Sequence, residues 1–269
     1  LRDPRTLLDD RTLADEEAGD RGLSYYDRSG SSYRLDGRGL RFEHGVNSRA
    51  TLDEFLRNST NIAEADVLMG TVGTDPEPQP VMAHPPDRHS DLSFDEWLQA
   101  MVAYGCGIKV DFKESAVVPA VLASLERESF PAYRLMLNAD ILVGPGGGSP
   151  QLGVDDLYLC REAFPDAVLS ISCTTGPDAG PYSDIEISNL LQAGDLLGGP
   201  YTLALRAELL LADLSVLQVL SDHDAHVTVW NAPNYPTEEG WLDLLQARLP
   251  LAFFDLIDPA PESADIESL

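Results

Sequence analysis

At 269 residues, 43% of them hydrophobic, the chain is long enough for one large core and holds no apolar run near the ~18 residues of a membrane span. A formal net charge of −27, from 45 acids against 18 bases, excludes nucleic-acid backbones as favoured partners. The acids are mostly Asp and the bases almost all Arg, the balance of a protein adapted to concentrated salt, where a Debye length of about 3 Å at 1 M removes self-repulsion; a halophilic host is the expectation.

Residues 1–38 carry no sustained periodicity and are read as a partly ordered extension with a short hairpin near the floor of the fold. The opening Leu-Arg-Asp-Pro-Arg is unlike a secretory signal, and Cys106, Cys160 and Cys173 are an odd, irregularly spaced set. Buried thiols in a reducing, cytoplasmic setting follow as expectations. A first core strand is predicted over 40–44, then a helix over 51–58 with Thr51 as its cap, then a strand over 62–69. A short strand over 80–84 stops at Pro85-Pro86, and a helix over 93–104 opens on a Ser93/Glu96 capping box.

The stretch 107–113 contains both lysines of the chain. In an extended strand Lys109, Asp111 and Lys113 share one face and Ile108, Val110 and Phe112 the other, as in a barrel strand with a charged interior and helices outside. Helix 116–127, strand 133–143, a glycine loop at 144–149, helix 153–163 and strand 167–173 follow. The sequence then predicts a helix near 185–193, strand 201–206, helix 211–221, strand 226–230, helix 238–247 and strand 251–255. About eight strand–helix alternations make the expected fold α/β, a (β/α)8 TIM barrel over 39–257, with an acidic tail at 258–269.

Barrel enzymes work at the C-terminal ends of their strands. The polar residues predicted there are His44, Glu64 with Asp66, His84, Asp111 with Lys113, Asn138 with Asp140, and Trp230 with Asn231. Three carboxylates from two neighbouring strands supply hard oxygen donors, suited to Mg²⁺ or Ca²⁺. Two histidines supply a general base and a general acid, and a lysine neutralises charge growing on a phosphoryl oxygen. Asp140 reads equally as a cap on its strand. Lys109, deeper on its face, reads as an ion-pair partner for an acid on a neighbouring strand. His89, His223 and His226 sit in polar stretches and are given no role. The glycine loop lacks the Lys-Ser/Thr of a phosphate-binding P-loop and reads as a plain flexible loop.

His44-Gly45-Val46-Asn47-Ser48, Glu64-Ala65-Asp66-Val67, Met82-Ala83-His84-Pro85-Pro86, Gly107 to Lys113 and Leu137 to Leu142 together resemble the menorin family. Leu169 to Gly176 and Val227 to Asn231 extend the likeness over roughly residues 40–250. That family is distantly similar to glycerophosphodiester phosphodiesterases and sphingomyelinase D, barrels of the phospholipase C-like phosphodiesterase type. The resemblance implies His44 and His84 as catalytic residues; His44 is read as base and His84 as acid, an assignment the sequence does not fix. It implies Glu64, Asp66 and Asp111 as ligands of one Mg²⁺ or Ca²⁺, Lys113 as a phosphate contact, Asn47 as part of the first histidine motif and Trp230 as an aromatic near the substrate. With Asn138 and Asp140 these form the expected substrate-binding set. The substrate would be a small-molecule or lipid-headgroup phosphodiester, cleaved with or without a cyclic phosphate. The same resemblance leaves open a non-catalytic interaction module that keeps the barrel and the metal. Gly45 replaces the arginine that commonly follows the first histidine in glycerophosphodiesterases, and Cys173 replaces a tryptophan usual in menorin relatives.

Overall fold

A computed structural model describes residues 24–27, 34–232 and 240–257. Most of the N-terminal extension and the 258–269 tail lie outside the described residues.

Eight parallel strands follow one another around a barrel. They are β1 (Phe42–Glu43), β2 (Ile62–Val72), β3 (Gly107–Phe112), β4 (Leu135–Val143), β5 (Val168–Thr174), β6 (Tyr201–Arg206), β7 (Val227–Trp230) and β8 (Phe253–Asp255). Each pairs with the next in an unbroken ladder from β1 to β8. Phe42 and Phe253 bring the two end strands together with ring centroids 6.4 Å apart, so the barrel is nearly closed. Helices α1 (Arg49–Phe55), α2 (Phe94–Tyr104), α3 (Val118–Arg127), α4 (Val154–Ala163) and α5 (Asp184–Leu197) fill the first five crossovers. Two short helices, α6 (Ala207–Ala212) and α7 (Val216–Asp222), stand where one was expected over 211–221, and α8 (Trp241–Arg248) precedes β8. Among the described residues no helix is long and apolar enough to cross a membrane.

The period-two alternation decides what faces where. Ile108, Val110, Leu137, Ile171, Leu205 and Val229 are buried outward against the helices in one apolar cluster. Each such side chain contributes roughly 1.5–3 kcal/mol. The inward faces change character with height. At the floor Tyr25, Phe42, Ile62, Met136, Val168 and Phe253 form an apolar plug, and the Tyr25 hydroxyl donates to the Ile108 carbonyl. His226 belongs to this floor, its ring centroid 4.3 Å from that of Phe253, rather than to a polar loop. The strand start at β7 packs it there, which the local sequence does not reveal.

Above the plug the interior is charged, because register aligns the polar residues. Glu64 lies opposite Lys109, Asp66 opposite Asp111, Asp111 opposite Asn138, and Asn138 opposite Ser170. The predicted strand over 80–84 is observed as Gln79–Met82, which pairs antiparallel with the overhanging end of β2 and lies outside the barrel wall. Ser48, not Thr51, caps α1; Thr51 is the third residue of that capping box. The Ser93/Glu96 box on α2 forms as expected.

Candidate active site

The predicted carboxylates converge. Glu64, Asp66 and Asp111 each offer an oxygen, and these three atoms lie within 4.8 Å of one another. Glu64 and Asp66 are buried on β2 and Asp111 is half-buried on β3. Lys113 lies against two of them, with Nζ 2.6 Å from Asp66 Oδ1 and 2.7 Å from Asp111 Oδ2. Asn47 holds Asp66 from the other side, donating from Nδ2 at 2.6 Å and accepting the Asp66 N–H at 2.8 Å. Asn138 donates to Asp111 Oδ1 at 2.8 Å and accepts from Ser170 Oγ at 2.6 Å, so its role in the described structure is to orient the acid.

Burial works against ionisation of Asp66, yet the Lys113 ammonium and the Asn47 amide outweigh it and hold this carboxyl below its ordinary range. Burial, with Asp255 and Asp66 adding to it, lifts Glu64 to about 7 against the opposing charges of His44 and Lys109. Asp140 is likewise raised, by burial and then by Asp111. It points inward next to Ser172 rather than ending its strand.

His44, just past β1, sets Nδ1 3.0 Å from Asp255 Oδ1 and 3.3 Å from Glu64 Oε2. Glu64 Oε2 also accepts the Gly45 N–H at 2.8 Å, which Gly45 can present because it adopts φ +71°. A side chain at that backbone angle is strained, which favours glycine at this position. Burial disfavours the imidazolium, but Glu64 and Asp255 overcome it and raise His44 to about 9. Lys109 pairs with Asp255 Oδ2 at 2.5 Å, across the barrel on β8, and lies 4.0 Å from Glu64 on the neighbouring β2. Its expected ion pair therefore forms, chiefly with an acid from a distant strand.

His84 is exposed at the mouth, beyond Met82, with Nδ1 2.7 Å from the Pro85 carbonyl oxygen. It is close enough to Asp66 for its charge to help hold that carboxyl down. Trp230 is half-buried on the opposite wall, with the Arg206 guanidinium 5.9 Å from its ring centroid. Arg206 is buried, pairs with Glu208 at 3.1 Å and donates to the Gly176 carbonyl. Asn231 exchanges two hydrogen bonds with the Ile257 backbone and so ties the end of β7 to the chain beyond β8.

The glycine loop is not free of structure. Gly144 N–H donates to Thr174 O, Gly176 N–H to Pro145 O and Thr174 Oγ1 to Gly148 O, binding the loops after β4 and β5 together. A Cβ on Gly147 would lie 2.2 Å from Thr174 O, so close packing requires glycine there. The three cysteines are free and buried, and burial pushes the Cys173 thiol up to about 12.

The donor set fits a hard divalent cation. Five carboxyl groups, on Glu64, Asp66, Asp111, Asp140 and Asp255, face the two lysines of the interior. Glu64 Oε1 is buried with no hydrogen-bond partner among the described residues, Lys109 at 4.0 Å being too far to donate. A buried carboxylate oxygen left so is costly, and a cation offsets that cost. His44, Glu64 and Asp255 form a second group within 4.8 Å, but hydrogen bonds from His44 and Lys109 already engage Asp255 there.

The menorin N-terminal domain profile matches residues 36–251. Human protein FAM151B is 32% identical over 251 residues, spanning 88% of this chain and 89% of its own length. The chain belongs to the menorin family. Its barrel is similar to a crystal structure from Galdieria sulphuraria provisionally described as a glycerophosphodiester phosphodiesterase, with a TM-score of 0.55 and 11% identity over 80% of this chain and 92% of that one. At that identity the likeness is one of fold.

Sequence reasoning missed Asp255, Arg206 and Glu208. The first ends a three-residue strand remote from all its partners in sequence. The other two sit at the β6–α6 junction, where an Arg-x-Glu pair has no distinctive spacing.

Proposed function

We propose that this menorin-family protein is a divalent-metal-dependent phosphodiesterase. The convergence of Glu64, Asp66 and Asp111 oxygens within 4.8 Å, beside His44 and Lys113, carries the proposal. These three acids would hold one Mg²⁺ or Ca²⁺, which when bound supplies Lewis-acid polarisation of the phosphoryl group.

The remaining chemistry belongs to the chain. Lys113 donates to a phosphoryl oxygen and offsets the charge that grows on it. His44 acts as base: Nδ1 faces carboxylate oxygens and carries a proton, so Nε2 of the neutral ring takes the proton of the attacking hydroxyl while its oxygen bonds to phosphorus. The carboxylates of Glu64 and Asp255 stabilise the resulting imidazolium. His84 acts as acid, delivering a proton to the leaving oxygen as the P–O bond breaks; its exposure lets bulk water restore that proton. The attacking hydroxyl belongs to water or to the substrate itself, the latter giving a cyclic phosphate. Trp230, held beside Arg206, lines the wall where a small organic or lipid headgroup rests. Asn138 holds Asp111 from within the barrel, and Asp140 adds a carboxyl beside it.

The test is turnover of a phosphodiester panel with Mg²⁺ or Ca²⁺ and with chelator, comparing the wild type with His44→Ala and His84→Ala. Each variant is expected to lose activity by about 10²-fold or more. Unchanged turnover in both would refute the assigned roles.

A further inference from the structure

We infer that Asp255 is the positioning residue of His44, fixing its ring so that Nδ1 is bound within the protein and Nε2 is the nitrogen presented at the mouth. The inference rests on the phosphodiesterase reading only for its catalytic consequence; the geometry stands apart from it. Asp255 is fully buried at the end of β8. Its two oxygens divide their work: Oδ1 meets His44 Nδ1 at 3.0 Å, and Oδ2 meets Lys109 Nζ at 2.5 Å.

Glu64 is the competing partner for Nδ1, but its Oε2 is farther, at 3.3 Å, and already accepts the Gly45 N–H. A carboxylate only accepts, so a ring nitrogen in contact with it carries the proton. Lys109 is buried and keeps the Asp255 charge compensated in place. The arrangement Lys109–Asp255–His44 thus spans three strands, β3, β8 and the end of β1, and orients the ring from below. A carboxylate behind an imidazole sets its tautomer and stabilises its charged form, and loss of such a group costs far more in turnover than in substrate binding. It also explains why a barrel whose β8 is three residues long ends that strand on a buried acid.

The experiment is proton and nitrogen NMR of the full chain labelled at histidine. In the wild type, His44 is expected to show a downfield Nδ1–H resonance protected from exchange. Asp255→Asn, which keeps the shape and removes the charge, is expected to move that resonance upfield or lose it to exchange, and to lower kcat by about 10²-fold or more with KM little changed. An unchanged resonance in Asp255→Asn overturns the inference. Should Asp255→Asn fail to fold, the wild-type spectrum decides alone, since a His44 ring protonated on Nε2 and not on Nδ1 overturns it equally. A protected Nδ1–H in a protein that cleaves no phosphodiester supports the positioning of His44 and removes the catalytic reading.

Discussion

The Lys113 ammonium sits between Asp66 and Asp111, 2.6 Å from one carboxylate and 2.7 Å from the other, on two of the three acids that would hold a divalent ion. Lysine and ion therefore compete for the same oxygens. Lys113→Met is expected to lower ion-free stability by about 3 kcal/mol, because two acids lose their cation, and to tighten Mg²⁺ or Ca²⁺ binding by about tenfold or more through the same linkage. Calorimetric titration reads the affinity; equal or weaker binding by the variant would contradict the competition. Since the chain has only two lysines, lysine-labelled NMR gives a second readout, with the Lys113 signal moving on ion addition and Lys109 holding still.

His44 titrates at about 9 without an ion, burial being outweighed by the charges of Glu64 and Asp255. A cation on Glu64 cancels one of those charges, so the midpoint should fall when Mg²⁺ or Ca²⁺ is added, bringing the ring toward the neutral form a base requires. In the ion-free protein the sign for stability follows from a raised folded value. The contribution is complete below the ordinary 6.5 and disappears as pH rises through about 9. Histidine NMR against pH, with and without ion, measures both; a midpoint that stays at 9 on saturation with ion would be inconsistent with Glu64 as a ligand.

His226 gives the opposite sign. Buried on the barrel floor, it is pushed down to about 4, chiefly by desolvation, with the Leu251 backbone and Asp36 opposing. The unfolded chain takes up its proton near 6.5 and the folded one does not. Its contribution is therefore full above 6.5 and is lost as pH falls from 6.5 toward 4, by up to about 3 kcal/mol. Denaturant unfolding of His226→Phe, which keeps a ring against Phe253, should show a flatter dependence in that window than the wild type. Parallel curves would remove His226 as the cause.

Much of the barrel was legible because inward and outward residues alternate so regularly. Lys109, Asp111 and Lys113 declared a charged interior face, and Glu64 with Asp66 declared a second. What stayed hidden was joined through space. Asp255 meets His44 and Lys109 from the far end of the chain, and nothing within the short β8 marks it as a partner. The ladder of Asp66, Asp111, Asn138 and Ser170 depends on strand register, which local patterns do not fix. The pairing of the glycine loop with Thr174 and Gly176 likewise needed two neighbouring strand ends, and His226 became a floor residue only once β7 and β8 lay side by side.

The surface makes a separate prediction. At a net charge of −27 the folded chain repels itself in dilute buffer, and screening shortens that repulsion to about 3 Å at 1 M salt. We propose adaptation to high salt: the melting temperature should climb from low to molar KCl. A flat or falling curve would instead assign the acidic composition to some other cause.

Three acids and two histidines at the barrel mouth are proposed to form an ion-dependent phosphodiester-cleaving centre. The most direct measurement follows a panel of phosphodiesters by phosphorus NMR with the ion-saturated wild type, its chelated form and Glu64→Gln. At least one diester is expected to be converted to a monoester or cyclic phosphate by the ion-saturated wild type alone. Saturable ion binding at Glu64 with every diester left intact would contradict it.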